Sequence, residues 1–312
     1  MTGAARNSAW PALPLDGWRD TYATLHMWLQ IVGKTRLACA PMVNHWWQVP
    51  LYVTPRGLTT SAMPYGNRIF SVDLDFIDHV LSVRADDGAT RTLELAPRSV
   101  ADFYAEYMAA LRGLGFEVAF RRRAPVEVER AIPFADDREH KSYDADATNR
   151  CWRILVQADR VLKRFRGRFL GKASPVHFFW GSFDLAATRF SGRPAPRHPG
   201  GAPNCPDYVM VEAYSHECSS CGFWPGGGAF PDAAFYAYAY PEPQGYGDRP
   251  VRPDAARYST TAREFILPYE AVRTADDPDE ALLRFFHTTY EAAADLARWD
   301  RAALDRPQPE WP

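Results

Sequence analysis

The sequence predicts an α+β protein in which antiparallel sheets are backed by helices, and three observations carry that expectation. Strand-length runs rich in aromatic and β-branched residues follow one another with turn signals between them. Four other stretches repeat apolar residues at helical spacing. The order helix, strands, helix occurs twice along the 312 residues. That length suits about two domains or one large unit, and the repeat suggests an N-terminal half over residues 1–135 and a C-terminal half over 136–312, within what could still be one compact unit.

The first helix is expected from Trp18 to Val32, with Trp18, Tyr22, Leu25 and Leu29 on one face. "HWWQVPLYVT", "GLTTSAM", "NRIFSVDLDF", "HVLSVRA" and "TRTLELA" then read as an antiparallel series. The last two are joined by Asp87-Gly88, a strong hairpin signal. A second helix opens at Ser99, which can cap the chain with Asp102 three residues on. Its stripe is Val100, Phe103, Tyr104, Tyr107, Met108 and Leu111. The third spans about Thr148 to Phe169, and "VHFFWGSFDLAATRF", "YVMVEAYSHE", "AFYAYAY" and "EFILPYEAV" follow as strands. The fourth helix starts at "DDPDE", where Pro278 suits the first helical position. Long connections lie at Ser191–Pro206 and Pro241–Pro253. Paired features in the two halves, among them Gly33-Lys34 and Gly171-Lys172 after helices, point to an internal duplication.

Composition narrows the function classes. Hydrophobic content of 46% with 24% charged residues is that of an ordinary globular protein. A net charge of −2 supplies no field for nucleic acid or an anionic membrane. The four lysines (Lys34, Lys141, Lys163, Lys172) beside thirty-two arginines reflect codon bias rather than an arginine-based binding surface. The N-terminus lacks the apolar core of a secretory leader, and no run approaches a membrane span. With five thinly spread cysteines, these features predict a cytoplasmic protein.

The densest chemistry lies in "YSHECSSCGFWPGGG", residues 214–228. Cys218 and Cys221 have the spacing of half a zinc knuckle, but no second C-x-x-C exists, so structural zinc is disfavoured. Read as a strand, the segment puts Glu212, Tyr214 and His216 on one face and Glu217 on the other. "HFFWGSFD" likewise puts His177 on one face and Trp180 and Asp184 on the other. If these strands pair, His177 and His216 could meet, with Glu212 or Glu217 completing an acid–base group or a divalent-metal site of His177, His216 and Glu217. Tyr236 and Tyr238 alternate with alanines and can line a pocket. "DDREHKSYDAD" gathers His140 and Tyr143 in a loop that can fold over the sheet.

The stretches "NHWWQVPLYVTPRGLTTS", "REHKSYD", "GKASPVHFFWGSFDLAATRFSGR", "EAYSHE", "GFWPGG" and "FYAYAYPEP" resemble those of an uncharacterised bacterial family, a domain of unknown function covering nearly this whole length. In that family's pattern the Ser-His-Glu stretch continues Val-Ser-Ser-Ala, so Cys218 and Cys221 depart from it and a family-wide thiol role is not implied. The resemblance implies that His45, His140, Tyr143, His177, Trp180, Asp184, His216, Glu217 and Trp224 sit within family motifs. It implies no activity.

The expectation is therefore an enzyme acting on a small organic molecule in an aromatic-lined cleft of the C-terminal sheet. His216 and His177 would carry the chemistry, with Glu212, Glu217 or Asp184 orienting them. Trp180, Trp224, Tyr214, Tyr236, Tyr238, His140, Tyr143 and His45 would hold the substrate. A non-catalytic small-molecule-binding module and a structural assembly protein are the alternatives.

Overall fold

The computed structural model describes residues 9–227 and 231–306. They form an α+β fold of two six-stranded antiparallel sheets with helices packed against them. The first half runs α1 (Arg19–Cys39), β1 (Tyr52–Val53), β2 (Gly57–Thr59), β3 (Met63–Tyr65), β4 (Arg68–Asp75), β5 (Val80–Ala85), β6 (Thr90–Glu94) and α2 (Val100–Gly113). After a long connection come α3 (Ala145–Gly167), β7 (His177–Phe179), β8 (Asp184–Pro194), α4 (Asp207–Ala213), β9 (His216–Trp224) and β10 (Ala234–Tyr240). The chain ends through β11 (Arg257–Ser259), β12 (Glu264–Pro268), α5 (Tyr269–Arg273), α6 (Pro278–Leu296) and α7 (Arg301–Leu304). Among the described residues, no helix is long and apolar enough to cross a membrane.

The expected caps are in place. Ser99 accepts the Asp102 N–H at 3.1 Å to open α2, and Asp277 does the same for Glu280 ahead of Pro278 in α6. The Asp87-Gly88 turn joins β5 to β6, with Gly88 at φ 84. Helix α1 runs seven residues past the expected end at Val32. Gly33 is not a stop: a side chain there would strike the Trp180 indole, 2.2 Å from an added Cβ. Its bareness serves helix-to-sheet contact.

The first sheet has the order β1-β2-β4-β5-β6, with β3 also paired to β4. The second has the order β11-β12-β10-β9-β8-β7. The strand orders differ, and the internal duplication expected from the sequence motifs has no support from the sheet topology. The sheets meet where Leu51 and Phe178 exchange two backbone hydrogen bonds of 2.9 Å each. Buried residues from both halves form one continuous core.

Two strand readings are corrected. Residues 207–213 are the helix α4, set off by Pro206 and with Asp207 in its first turn, so Glu212 and His216 do not alternate along one strand. Aromatic and β-branched residues drew the strand reading there, and the sequence period could not decide. "HFFWGSFD" is not one strand but a hairpin: the chain reverses between Phe179 and Asp184, which pair, with Phe183 at φ 58. His177 and Asp184 therefore share a face of the sheet, contrary to simple alternation.

The second sheet has two unlike faces. Ala187, Cys221 and Ala237 lie side by side across β8, β9 and β10, as do Leu185, Phe223 and Phe235. This apolar face packs against α3 and α6. Tyr236, Tyr238 and Tyr240 occupy the opposite face, in register with Gly222, Ser220 and Cys218 of β9. Alanines behind and phenols in front make one side of the sheet core and the other a polar platform.

Candidate functional site

Asp184, the first residue of β8, is the centre of that platform. The Ser182 hydroxyl donates to one of its carboxylate oxygens and the Tyr236 phenol to the other. Tyr236 reaches it from β10, across β9, because Gly222 lies between them: a Cβ on Gly222 would stand 2.6 Å from the Tyr236 hydroxyl. In the sequence this glycine looked like the tail of a cysteine motif. Its physical role is to let a phenol cross a strand.

Glu127 arrives from the long connection after α2. The fully buried Gln30 side chain pairs with Val126 like another peptide group, accepting its N–H at 3.1 Å and donating to its C=O at 2.7 Å. Glu127 itself donates its N–H to the Pro203 carbonyl at 2.7 Å, and Asn204 donates to the Val128 carbonyl at 2.8 Å. Glu127 is held at φ 58, a left-handed conformation that costs a side-chain-bearing residue about 1–3 kcal/mol and persists only when its surroundings enforce it. Its carboxyl fills the space above Gly181, with Oε1 2.5 Å from where a Cβ would be. Burial and the neighbouring Asp184 push the Glu127 carboxyl up to about 7, while interaction with the Ser182 hydroxyl works the other way. Burial raises Asp184 as well, against its bonds from Ser182 and Tyr236. Glu264 of β12, on the same face by alternation, is also pushed up to about 7 by burial and by Asp184.

Around the carboxyls stand aromatic groups. The Tyr214 and Tyr238 hydroxyls are 2.7 Å apart, and Tyr238 stacks beside Tyr236 with ring centres 6.1 Å apart. Tyr22 of α1 feels the Asp184 charge, is hydrogen-bonded by Trp224, and packs edge-on against Phe183. The same Tyr22 lines a cavity of about 330 Å³ with Arg19, His26, Arg130, His140 and Gly227. Tyr22 thus links the carboxyl cluster to a space large enough for a small molecule.

Asp184, Trp224, Tyr214, Tyr236 and Tyr238, each expected to serve a site, are gathered here. The histidines are not. His177 is fully buried, and neither ring nitrogen has a hydrogen-bond partner. Trp47, Tyr52 and Phe179 meet it edge to face, and burial drives its pKa down to about 3. It is a neutral ring in an aromatic box. His216 lies at the far end of β9, 5.7 Å from the ring of His45, and the ring contacts leading from there to His177 pass through His45 and Trp47. Glu217 is bound by Ser191 and Arg193, and Glu212 accepts the His45 N–H at 3.0 Å. His177, His216 and Glu217 therefore build no metal centre, and among the described residues no three His, Cys, Asp or Glu side chains are grouped to hold a metal.

Three further expectations change place. Trp180 is a buried strut, donating to the Val49 carbonyl at 2.9 Å beneath Gly33, and does not line the site. Tyr143 is buried, stacks on Trp28 and bonds His79 at 2.9 Å. His140, paired with Asp137 at 2.7 Å, lines the cavity beside His26 but stands outside the carboxyl cluster. Cys218 and Cys221 are buried free thiols whose pKa values burial raises, Cys218 to about 12, so both are inert.

Glu127, Glu264, Ser182, Tyr22 and Gln30 were not anticipated as members of one site. Glu127 lies in "RRRAPVEVER", where the arginines dominate, and its approach to Gly181 is a long-range contact without a sequence period. The pair Gly181-Ser182 next to Asp184 was the one local sign.

No curated protein and no solved structure shows significant similarity to the chain. A match over residues 10–306 places the chain in DUF5996, a family of unknown function.

Proposed function

We propose that the protein is an enzyme that performs general acid–base chemistry on a small organic amine at the Asp184 platform. One observation carries the reading: Ser182 and Tyr236 hold the two oxygens of Asp184, with Glu127 brought to the same hydroxyl by a strained, fully braced backbone. The Ser182 hydroxyl stands between the two carboxyls, donating to Asp184 and interacting with Glu127, so it can relay a proton from one to the other. One proton can then move along carboxyl, hydroxyl and carboxylate. Groups with pKa values near the working pH are the effective ones for such transfer, and Glu127 and Glu264 meet that condition.

The amine follows from charge. Among the described residues no Lys, Arg or His forms an ion pair with Asp184, Glu127 or Glu264, so these three carboxyls themselves favour a cation over an anion as their partner. A cation would meet carboxylates in a surround of aromatic side chains, Tyr22, Tyr214, Tyr238 and Trp224, of the kind that suits an ammonium group. The catalytic part expected of His177 and His216 passes to carboxyls.

The test is a metabolite extract incubated with the wild-type protein or with Asp184→Asn, compared by mass spectrometry. A cationic metabolite consumed by the wild type and spared by the variant is the expected result. Consumption of an anionic metabolite instead, or none spared by the variant, sinks the proposal. Binding of an amine without its consumption would make the same cleft a binding module.

A further inference from the structure

Lys172 sits at the other end of the same sheet face, near Phe190 and Cys218 rather than Asp184. Its ammonium nitrogen is 2.8 Å from His45 Nε2. His45 Nδ1 is 3.0 Å from the carbonyl of Ala213, the last residue of α4. A carbonyl only accepts, so Nδ1 carries the hydrogen and Nε2 presents its lone pair to the lysine. The arrangement is enforced. His45 and Trp46 both hold left-handed φ values, 59 and 61, and Glu212 accepts the His45 N–H at 3.0 Å. The histidine is buried while the lysine is exposed, flanked by the rings of Trp47 and Phe190 at 5.1 and 5.3 Å.

A strained backbone that aims a basic nitrogen at an accessible lysine is a device for taking that lysine's proton. The competing influences are explicit: burial disfavours the charged amine, while Glu212 favours it. His216, whose ring stands 5.7 Å from that of His45, adds a second imidazole to the same place.

We infer that Lys172 and His45 form a carbonyl-reactive site that takes small aldehydes as Schiff bases. His45 Nε2 accepts a proton from the Lys172 ammonium, and the freed nitrogen lone pair forms a bond to the aldehyde carbon. The carbonyl π pair moves to oxygen, which takes the proton back from His45 to give a carbinolamine. The carbinolamine nitrogen is still cationic and carries two hydrogens; one passes by way of His45 to the hydroxyl, which leaves as water while the nitrogen lone pair forms the C=N bond, so aldehyde and ammonium yield iminium and water. This site is independent of the Asp184 platform.

The chain's four lysines supply their own controls. Lys141 is exposed, Lys163 is paired with Asp159 at 2.6 Å, and Lys34 is buried. The full-length protein would be treated near neutral pH with acetaldehyde and cyanoborohydride, which reduces an imine to a stable secondary amine. Peptide mass spectrometry would then rank the lysines by rate. Lys172 is expected to be modified at least about tenfold faster than Lys141 and Lys163. In His45→Asn, which tolerates a left-handed φ but removes the imidazole acceptor, its rate should fall to that of Lys141. Lys172 reacting no faster than Lys141 in the wild type overturns the inference, and so does an unchanged Lys172 rate in His45→Asn. The wild-type ranking stands even if the variant does not fold.

Discussion

At the scale of single residues, identity says less than surroundings do. Two histidines drew the functional reading of the sequence, yet burial keeps His177 a neutral packing group, whereas Glu127, buried among acids, holds a proton near neutrality. The aromatic and acidic character of the site could be read from Asp184, Tyr236 and Tyr238. Glu127 could not, because its role depends on Gly181 and Gln30, far away in sequence. Its raised pKa has a thermodynamic consequence. The folded protein binds the Glu127 proton more tightly than the unfolded chain, in which the group returns to its ordinary value of 4.5. Stability from this group is therefore present below 4.5 and is lost as pH rises through about 7. Glu127→Gln cannot ionise and escapes that loss. Thermal melts at about pH 5 and about pH 8 should show the variant gaining on the wild type at the higher pH. A wild-type–variant gap in melting temperature that is constant with pH would show that Glu127 is already ionised in the fold.

Among the elements, helices with clear caps and a sustained apolar stripe were readable, as α2 and α6 show. Short segments were not: α4 has seven residues and looked like a strand, and β7 with β8 looked like one strand because four turn residues separate them. Both errors fall beside candidate sites, where tertiary contacts overrule local preference. The segment carrying Glu127 is such a case, since it has neither helix nor strand to fix it and borrows its hydrogen bonds from Gln30 on α1. Gln30→Leu keeps the side chain's bulk but strands the Val126 N–H and C=O in a largely buried place. The expected cost is about 1–3 kcal/mol in urea denaturation, with loss of turnover as Glu127 drifts from Ser182. A stability change below about 0.5 kcal/mol would show that the segment is held by other contacts.

Over the whole molecule, the antiparallel α+β architecture was evident from the alternation of strand runs and helices, but the relation between the halves was not. The two-half description suggests domains that could unfold separately. Three physical links oppose this: the Leu51–Phe178 backbone pair, the Trp180 indole seated under Gly33 of α1, and Gln30 of α1 bonded to the Gly181 carbonyl at 3.1 Å. Each joins the N-terminal helix or first sheet to the hairpin that begins the second sheet. Removing the N-terminal half would expose the Trp180 side chain, and removing either half would leave the backbone groups of the Leu51–Phe178 pair without partners, so neither half is expected to keep a closed core alone. Cooperative coupling of this kind predicts one unfolding transition. Urea titrations followed by tryptophan fluorescence and by far-ultraviolet circular dichroism should share one midpoint. Separate midpoints, or an isolated 136–312 fragment that melts cooperatively, would instead establish two units and would confine the Asp184 platform's dependence on α1 to positioning Glu127 and Tyr22.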